Sequence, residues 1–227
     1  MQILFIIVIA YLLGSIPSGL LIGKSFFGVD IRTVGSRNMG STNTFRTLGW
    51  KAGLAVQLLD IAKGIAAVAV ARYVFNGNLP FPNMTPFEDI TIVSIIAGVA
   101  AVLGHVFTVF AGFRGGKGIN TALGMLIAIT PIEVGIAIGI FLLVVLASGY
   151  VSLASMIAAV SLPTTMVVRH NILGVEIQGY HTLILFIVGL AVFLIYTHRA
   201  NIVRLISGKE NRFNKLRLLA PKERKGE

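Results

Sequence analysis

The sequence contains no cysteine and few charged residues. Without cysteine, the chain cannot form disulfides, thiolate metal sites, iron–sulfur clusters or a cysteine acyl-enzyme. Charged residues make up 12% of the 227 positions, whereas a soluble domain carries about 25%. Hydrophobic residues make up 56%, and the mean hydropathy is +0.87. This composition excludes a soluble globular domain and a disordered chain, and it indicates a polytopic membrane protein.

Seven apolar stretches are candidates for membrane-spanning helices, since a span needs about 20 apolar residues. They cover residues 3–23, 53–74, 90–111, 119–130, 132–149, 152–168 and 181–197. The fourth is too short to cross a bilayer at about 1.5 Å per residue, so five or six spans are the alternatives. We predict an all-α fold, a polytopic integral membrane protein of about seven transmembrane helices with short loops, forming a single domain over residues 1–227.

The basic residues are unevenly distributed among the loops. Sixteen of the nineteen lie in segments 24–51, 112–118 and 198–227, which seven crossings place on one side. Because short cytoplasmic loops are rich in Lys and Arg, we expect this side to be cytoplasmic and the N-terminus to lie outside. The net charge of +10 then favours anionic lipids or phosphorylated substrates as partners over nucleic acid. Within the basic tail, 202–219 is either a helix on the headgroups or an ordinary stop-transfer segment.

The first cytoplasmic loop combines small, hydroxyl and amide side chains with two arginines between residues 35 and 50. We expect Thr42 to cap a short helix that carries Asn43 and Arg46 on one face. A helix start with an arginine one turn further on is typical of a phosphate site. A solvated loop with turn residues is the alternative.

The second cytoplasmic loop reads Gly-Phe-Arg-Gly-Gly-Lys-Gly over residues 112–118. Successive N–H groups of Gly115, Gly116 and Gly118 are expected to form an anion nest, with Lys117 supplying the charge. The loop is not a Walker A motif, because Ala111 stands at the first glycine position and Gly118 stands where Ser or Thr follows the lysine. A flexible, basic turn is the alternative.

Two charged residues, Asp60 and Lys63, lie within the second predicted span. Charges at that depth are costly and usually paired, so they form either a structural salt bridge or a support for the first loop. His105 ends the third span, where we expect a structural hydrogen bond.

Three further polar residues follow later spans. Ser152 lies at the junction of the fifth and sixth spans, where helix packing is the alternative to a binding role. His198 and Asn201 share a helix face immediately after the seventh span. His198 is a candidate proton acceptor or hydrogen-bond donor, with an interfacial anchor as the alternative.

Taken in order, these motifs resemble the bacterial membrane acyltransferase family that uses acyl phosphate to acylate glycerol 3-phosphate. The family usually has glycine where Arg37 stands. The matching positions are Gly35, Ser36, Asn38, Gly40, Thr42, Asn43, Arg46, Asp60, Lys63, Gly64, Gly104, His105, Gly115, Gly116, Lys117, Gly118, Ser152, His198, Asn201 and Arg204.

The resemblance implies a seven-helix fold in the bacterial cell membrane, the inner one if two are present, with a site facing the cytoplasm. A hydroxyl of glycerol 3-phosphate would attack the acyl carbonyl and release 1-acylglycerol 3-phosphate and phosphate. Acyl phosphate is already an activated anhydride, so we expect no metal, no cofactor and no covalent intermediate.

The resemblance also implies roles for individual residues. The predicted catalytic residues are His198, Lys117, Arg46 and Ser36. The predicted substrate-binding residues are Asn38, Thr42, Asn43, Gly115, Gly116, Gly118, Ser152 and Asn201, and the predicted supporting residues are Asp60, Lys63 and His105. Cations at Lys117 and Arg46 would stabilise the departing phosphate. The general base is either His198 or the phosphate of the acyl donor.

The competing hypothesis is a transporter or flippase for a phosphorylated solute or lipid. Such a protein typically has polar residues near the bilayer midplane and paired repeats. Here only Asp60 and Lys63 lie deep, and the sequence has no internal repeat. The His-x₄-Asp motif of other acyltransferases is also absent, because the position five after His198 is Val203, and the other three histidines also lack the aspartate.

Overall fold

The computed structural model describes residues 1–77, 83 and 87–212, and within them it contains helices and no strand. The ten α-helices are α1 (Gln2–Ser15), α2 (Ser18–Phe27), α3 (Ser41–Leu48), α4 (Trp50–Val74), α5 (Asp89–Val106), α6 (Ile119–Ile129), α7 (Pro131–Ser148), α8 (Val151–Val167), α9 (Tyr180–Thr197) and α10 (Arg199–Ile206). A 3₁₀ turn, Val109–Ala111, and a π-helical turn, Val168–Ile172, complete the regular structure. The prediction of an all-α fold is confirmed.

Six helical segments are long and apolar enough to cross a membrane. They are Gln2–Phe27, Trp50–Val74, Asp89–Ala111, Pro131–Ser148, Val151–Ile172 and Tyr180–Thr197. Helix α6 has 11 residues and is therefore about 16 Å long, well short of the roughly 30 Å hydrocarbon core. The protein is a multi-pass membrane protein, and the predicted count of seven spans is approximate because α6 is only about half a span long.

The chain divides into two compact units, Met1–Pro131 and Ile132–Glu227. The single domain over 1–227 stays a prediction. Of the basic tail, the structure describes residues 198–212, which contain α10. The predicted amphipathic stretch 202–219 therefore lies partly outside the described residues.

In the first unit, helices pack closely through small residues. Gly14 of α1 lies against the backbone of Ala101 in α5, and Gly64 of α4 lies against the backbone of Thr121 in α6. A β-carbon at either glycine would overlap a carbonyl oxygen of the neighbouring helix. Such close backbone contact is how membrane helices associate, since burial of apolar surface gains nothing in lipid.

The first span is broken at Ile16 and Pro17, between α1 and α2. Proline has no N–H group and clashes with the preceding turn, so the helix cannot continue through it. The predicted span 3–23 is confirmed within Gln2–Phe27. The break inside it was not predicted, because hydropathy does not change across it.

In the second unit, α8 packs against α9, and the π-helical turn follows α8. Arg169 in this turn forms an ion pair with Glu133 in the first turn of α7. The side chain of Glu133 is buried. A buried carboxylate requires such a partner, because desolvation of an unpaired charge costs several kcal/mol, on the order of the whole folding free energy.

Candidate active site

The amide of Asn43 organises the loop between α2 and α3. Its nitrogen lies 3.2, 3.1 and 3.0 Å from the carbonyl oxygens of Ile31, Val34 and Asn38. Its oxygen accepts a hydrogen bond of 2.8 Å from the N–H of Ser36. Asn43 is 1% exposed, so both ends of the amide are occupied inside the protein. In this structure Asn43 shapes the loop, whereas the sequence predicted contact with substrate.

Three other predicted residues of this loop remain accessible. Ser36, Thr42 and Arg46 are exposed, and their side chains have no hydrogen-bond or ion-pair partner within the described residues. Thr42 and Arg46 lie four residues apart on α3 and therefore share a face. Asn38 is only partly accessible, and its side-chain oxygen accepts a 2.9 Å bond from the N–H of Gly40.

The backbone at Arg37 is in the left-handed region, with φ of 59°. A residue with a β-carbon is disfavoured there by about 1–2 kcal/mol, whereas glycine is not. The backbone conformation at this position therefore favours glycine over the arginine that is present. Arg37 is exposed and adds a further cation to the loop.

Helix α3 begins two residues earlier than predicted. Its N-cap is Gly40 and its first residue is Ser41, so the predicted cap at Thr42 is wrong. No side chain caps the helix. The N–H groups of Ser41, Thr42 and Asn43 therefore have no acceptor among the described residues, whereas that of Thr44 donates to the carbonyl of Gly40 at 3.3 Å.

The glycine loop before α6 uses its backbone differently from the predicted nest. The N–H of Gly115 donates to the carbonyl of Val106 at 2.9 Å, and the N–H of Gly116 donates to the carbonyl of His105 at 3.1 Å. Because these two donors are occupied, they cannot form the predicted anion nest. Gly118, with φ of 75°, instead starts α6. The free donors are the first-turn N–H groups of α6.

A hydrogen bond joins the starts of α3 and α6. The side-chain nitrogen of Asn120 donates to Ser41 Oγ at 2.9 Å. The N-termini of the two helices, each carrying free N–H groups and a partial positive charge, therefore lie side by side. Lys117, exposed and without a partner in the described part of the chain, lies two residues before the start of α6. This arrangement suits an anion.

Two other cations near the first loop are already neutralised. Lys24 and Arg32 both pair with Asp30, at 3.4 and 2.7 Å. The hydrogen bond from Arg32 is the largest cause that holds the pKa of Asp30 well below its usual range. Lys24 and Arg32 therefore hold the loop together, whereas Arg46 remains available to a ligand.

Below the glycine loop, Asp60, Lys63 and His105 form a buried charged cluster. Asp60 Oδ1 lies 2.9 Å from Lys63 Nζ and 3.6 Å from His105 Nδ1. Their side chains are 2%, 5% and 8% exposed. The salt bridge that the sequence predicted is present, and it extends to the histidine.

In the second unit, Glu210 connects several predicted residues. Its Oε1 accepts hydrogen bonds from Ser152 Oγ at 2.8 Å and Asn201 Nδ2 at 2.7 Å, and its Oε2 pairs with Arg204 at 2.7 Å. The sequence analysis missed Glu210. It is an acid in a strongly basic tail, and that contrast was the available signal.

Glu210 also predicts a pH dependence of stability. The hydrogen bond from Asn201, followed by those from Ser152 and Arg204, lowers the pKa of Glu210 from its ordinary 4.5 despite partial desolvation. A carboxyl group with a lowered pKa in the folded protein stabilises the fold at pH values above its ordinary pKa. This contribution is lost as the pH falls through the lowered pKa of the folded state. Glu210→Gln should therefore lower the unfolding temperature in detergent at neutral pH. The difference from wild type should shrink in acid; a constant difference would contradict the assignment.

His198 is held by its Nδ1 atom. Nδ1 lies 2.9 Å from the carbonyl oxygen of Leu194, which can only accept a hydrogen bond. In a neutral ring the proton is therefore on Nδ1, and the lone pair of Nε2 is free. Nε2 has no partner within the described residues. This is the tautomer that a proton acceptor requires.

The fold and these side chains identify a multi-pass membrane protein. Its first unit carries unpaired cations beside the N-termini of α3 and α6, which a hydrogen bond joins. The chain belongs to the glycerol-3-phosphate acyltransferase family, whose family model matches residues 4–208.

Relatives and solved structures agree with this membership. The Glycerol-3-phosphate acyltransferase of Chlorobaculum tepidum is 50% identical over 93% of this chain and 96% of the relative. That of Chlorobium limicola is 49% identical over 93% and 97%. The crystal structure of PlsY (YgiH), an integral membrane glycerol 3-phosphate acyltransferase, in its glycerol 3-phosphate form, is 36% identical with a TM-score of 0.68, and the similarity covers 95% of this chain and 98% of that one.

Proposed function

We propose that this protein transfers a fatty acyl group from acyl phosphate to glycerol 3-phosphate, giving 1-acylglycerol 3-phosphate and inorganic phosphate. Family membership supports glycerol 3-phosphate as the acceptor and favours acyl transfer over transport. The single structural observation that carries the proposal is the bond between Asn120 and Ser41, which places two free helix N-termini together beside Lys117. Both proposed substrates carry a phosphate, and this arrangement suits one.

The proposed reaction needs only bond exchange at the acyl carbon. The glycerol hydroxyl oxygen bonds to the carbonyl carbon, the bond from that carbon to the phosphate oxygen breaks, and phosphate leaves with the electron pair. The hydroxyl proton passes to an acceptor, for which the free Nε2 of His198 and the phosphate of the donor are the candidates. Positive charge at Lys117 and Arg46 would lower the barrier, because negative charge develops on the departing phosphate.

The remaining roles follow from accessibility. Ser36 and Thr42 would donate hydroxyl hydrogen bonds to phosphate oxygens. Gly118 would start α6 so that its first N–H groups point to the anion. Ser152 and Asn201 stay proposed ligands of the glycerol moiety, although in this structure both donate to Glu210. The distribution of basic residues supports a cytoplasmic site and tail, with the N-terminus outside a bacterial cell membrane.

An assay with purified full-length protein tests the donor. Palmitoyl phosphate and glycerol 3-phosphate should yield lysophosphatidate and one phosphate per product, without coenzyme A. Palmitoyl-coenzyme A serves as the matched alternative donor. Turnover with the thioester alone would refute the acyl phosphate assignment, and turnover with neither donor would refute the function.

A further inference from the structure

A small buried cavity lies where the first span breaks, beneath the glycine loop. Its walls include Ser15 and Ile16 at the end of α1, the charged pair Asp60 and Lys63 of α4, and Gly116 of the glycine loop; His105 and Thr108 also line it. The cavity has about 10 Å³ of free space, roughly the room for a single water molecule. A charged cluster at this depth in a membrane protein needs a physical reason, because such charges are costly.

The broken helix supplies part of that reason. The break leaves carbonyl oxygens at the end of α1 without their helical donors. Thr108 Oγ1 donates to the carbonyl of Ser15, and Lys63 Nζ donates to the carbonyl of Ile16 at 3.0 Å. The ammonium group thus lies between the negative end of α1 and the carboxylate of Asp60.

The imidazole of His105 links this cluster to the glycine loop. Its Nδ1 faces Asp60, while its Nε2 occupies the space where a side chain of Gly116 would lie. The carbonyl of the same histidine accepts the N–H of Gly116. Residue 105 therefore fixes residue 116 through both its ring and its backbone, and the next residue along the chain is Lys117.

We propose that His105 is a positioning residue for the substrate phosphate: its ring, oriented by Asp60, holds Gly116 and thereby places Lys117 and the start of α6. The inference rests on the proposed function. It assigns to the buried cluster a role in substrate affinity and not only in folding. Gly116 is glycine because the ring of His105 takes the space of its β-carbon.

A size-exchange experiment tests this arrangement. Gly116→Ala alone places a methyl group against Nε2 of His105 and should displace the loop. A displacement of about 1 Å can lower kcat/KM about 100-fold. His105→Asn keeps a polar atom near Asp60 but withdraws the far side of the ring. In that background Gly116→Ala should cost little further activity, so the double variant should match His105→Asn alone.

Gly115 provides the matched control. A β-carbon there would overlap the backbone carbonyl oxygens of His105 and Val106, which every substitution at 105 retains. Gly115→Ala should therefore be equally damaging in the wild-type and the His105→Asn backgrounds. Rescue at 116 without rescue at 115 is the expected pattern.

The kinetic constants and unfolding temperatures of the same variants separate the possible outcomes. Positioning predicts that the losses appear in KM for a phosphorylated substrate and that the double variant has the KM of His105→Asn alone. Independent, multiplicative effects at 105 and 116 would overturn the inference, as would coupling seen in unfolding temperature with KM unchanged. If the wild-type protein has no activity, the proposed function fails by itself. The unfolding temperatures of the 105 and 116 variants then decide the contact: non-additive changes support it, and additive changes overturn it. His105→Ala replaces His105→Asn if the latter does not fold.

Discussion

Replacement of Lys117 by alanine should lower kcat about 100- to 1,000-fold, the usual effect of removing one group that stabilises transition-state charge. Lys117 is exposed and has no partner in the described part of the chain, so its charge is not used to hold the fold. It also lies two residues before the first free N–H group of α6. Phosphate release from palmitoyl phosphate and glycerol 3-phosphate measures the effect, and the unfolding temperature in detergent should not change.

Two further variants define what the lysine contributes. Lys117→Arg keeps the charge but changes the reach and the donor geometry, so it should recover only part of the rate. Lys51→Ala removes an exposed cation at the start of α4 that contacts the ring of Trp50, and it should leave the rate close to wild type. An unchanged rate in Lys117→Ala would show that the glycine loop has no part in phosphate binding.

The membrane-spanning helices could be predicted from the sequence because hydropathy identifies segments that are apolar and long enough to cross a bilayer. Apolar stretches of about 20 residues predict spans whatever their neighbours, and the helices α4, α5, α7, α8 and α9 begin and end within a few residues of the predicted bounds. The break at Pro17 was missed for the same reason. Both halves are apolar, and the carbonyl partners of the break come from residues far along the chain, Lys63 and Thr108.

The chemistry of the loops was predicted less well than their importance. Residue types identified Asn43 and Gly116 as candidate site residues, but they did not show which groups the two residues bind. Asn43 is enclosed by carbonyls of its own loop, and the N–H of Gly116 is taken by His105. Spacing shows which donors a segment contains, while only the folded backbone decides which of them remain free.

The contacts of Glu210 could not be predicted from the sequence. Ser152 and Asn201 were predicted as substrate ligands from their types and positions, and the structure brings both to one carboxylate 58 and nine residues away along the chain. A contact of that kind depends on how α8 and the segment after α10 meet. No local pattern in the sequence encodes this contact, and the contrast between Glu210 and its basic surroundings marks the residue without naming its partners.

Replacement of Lys63 by methionine should destabilise the protein by about 3–5 kcal/mol, the usual cost of leaving a buried charge without its partner. The Asp60 side chain is 2% exposed, and the imidazole of His105, at 3.6 Å, is its other basic neighbour among the described residues. Unfolding in detergent, compared with wild type, measures the loss. Wild-type stability in Lys63→Met would mean that Asp60 is not charged in the folded protein.

A second substitution should restore most of that stability, because Asp60→Asn removes the orphaned charge. Recovery by Asp60→Asn with Lys63→Met should still be incomplete, since the Ile16 carbonyl at the break of the first span would lose one of its two donors and keep only the N–H of Ser18, at 3.0 Å. One such hydrogen bond contributes about 0.5–1.5 kcal/mol. Asp60→Asn with Lys63→Gln keeps an N–H group for that carbonyl and should be the more stable pair. The reverse order would show that Lys63 acts only through its charge and does not support the broken helix.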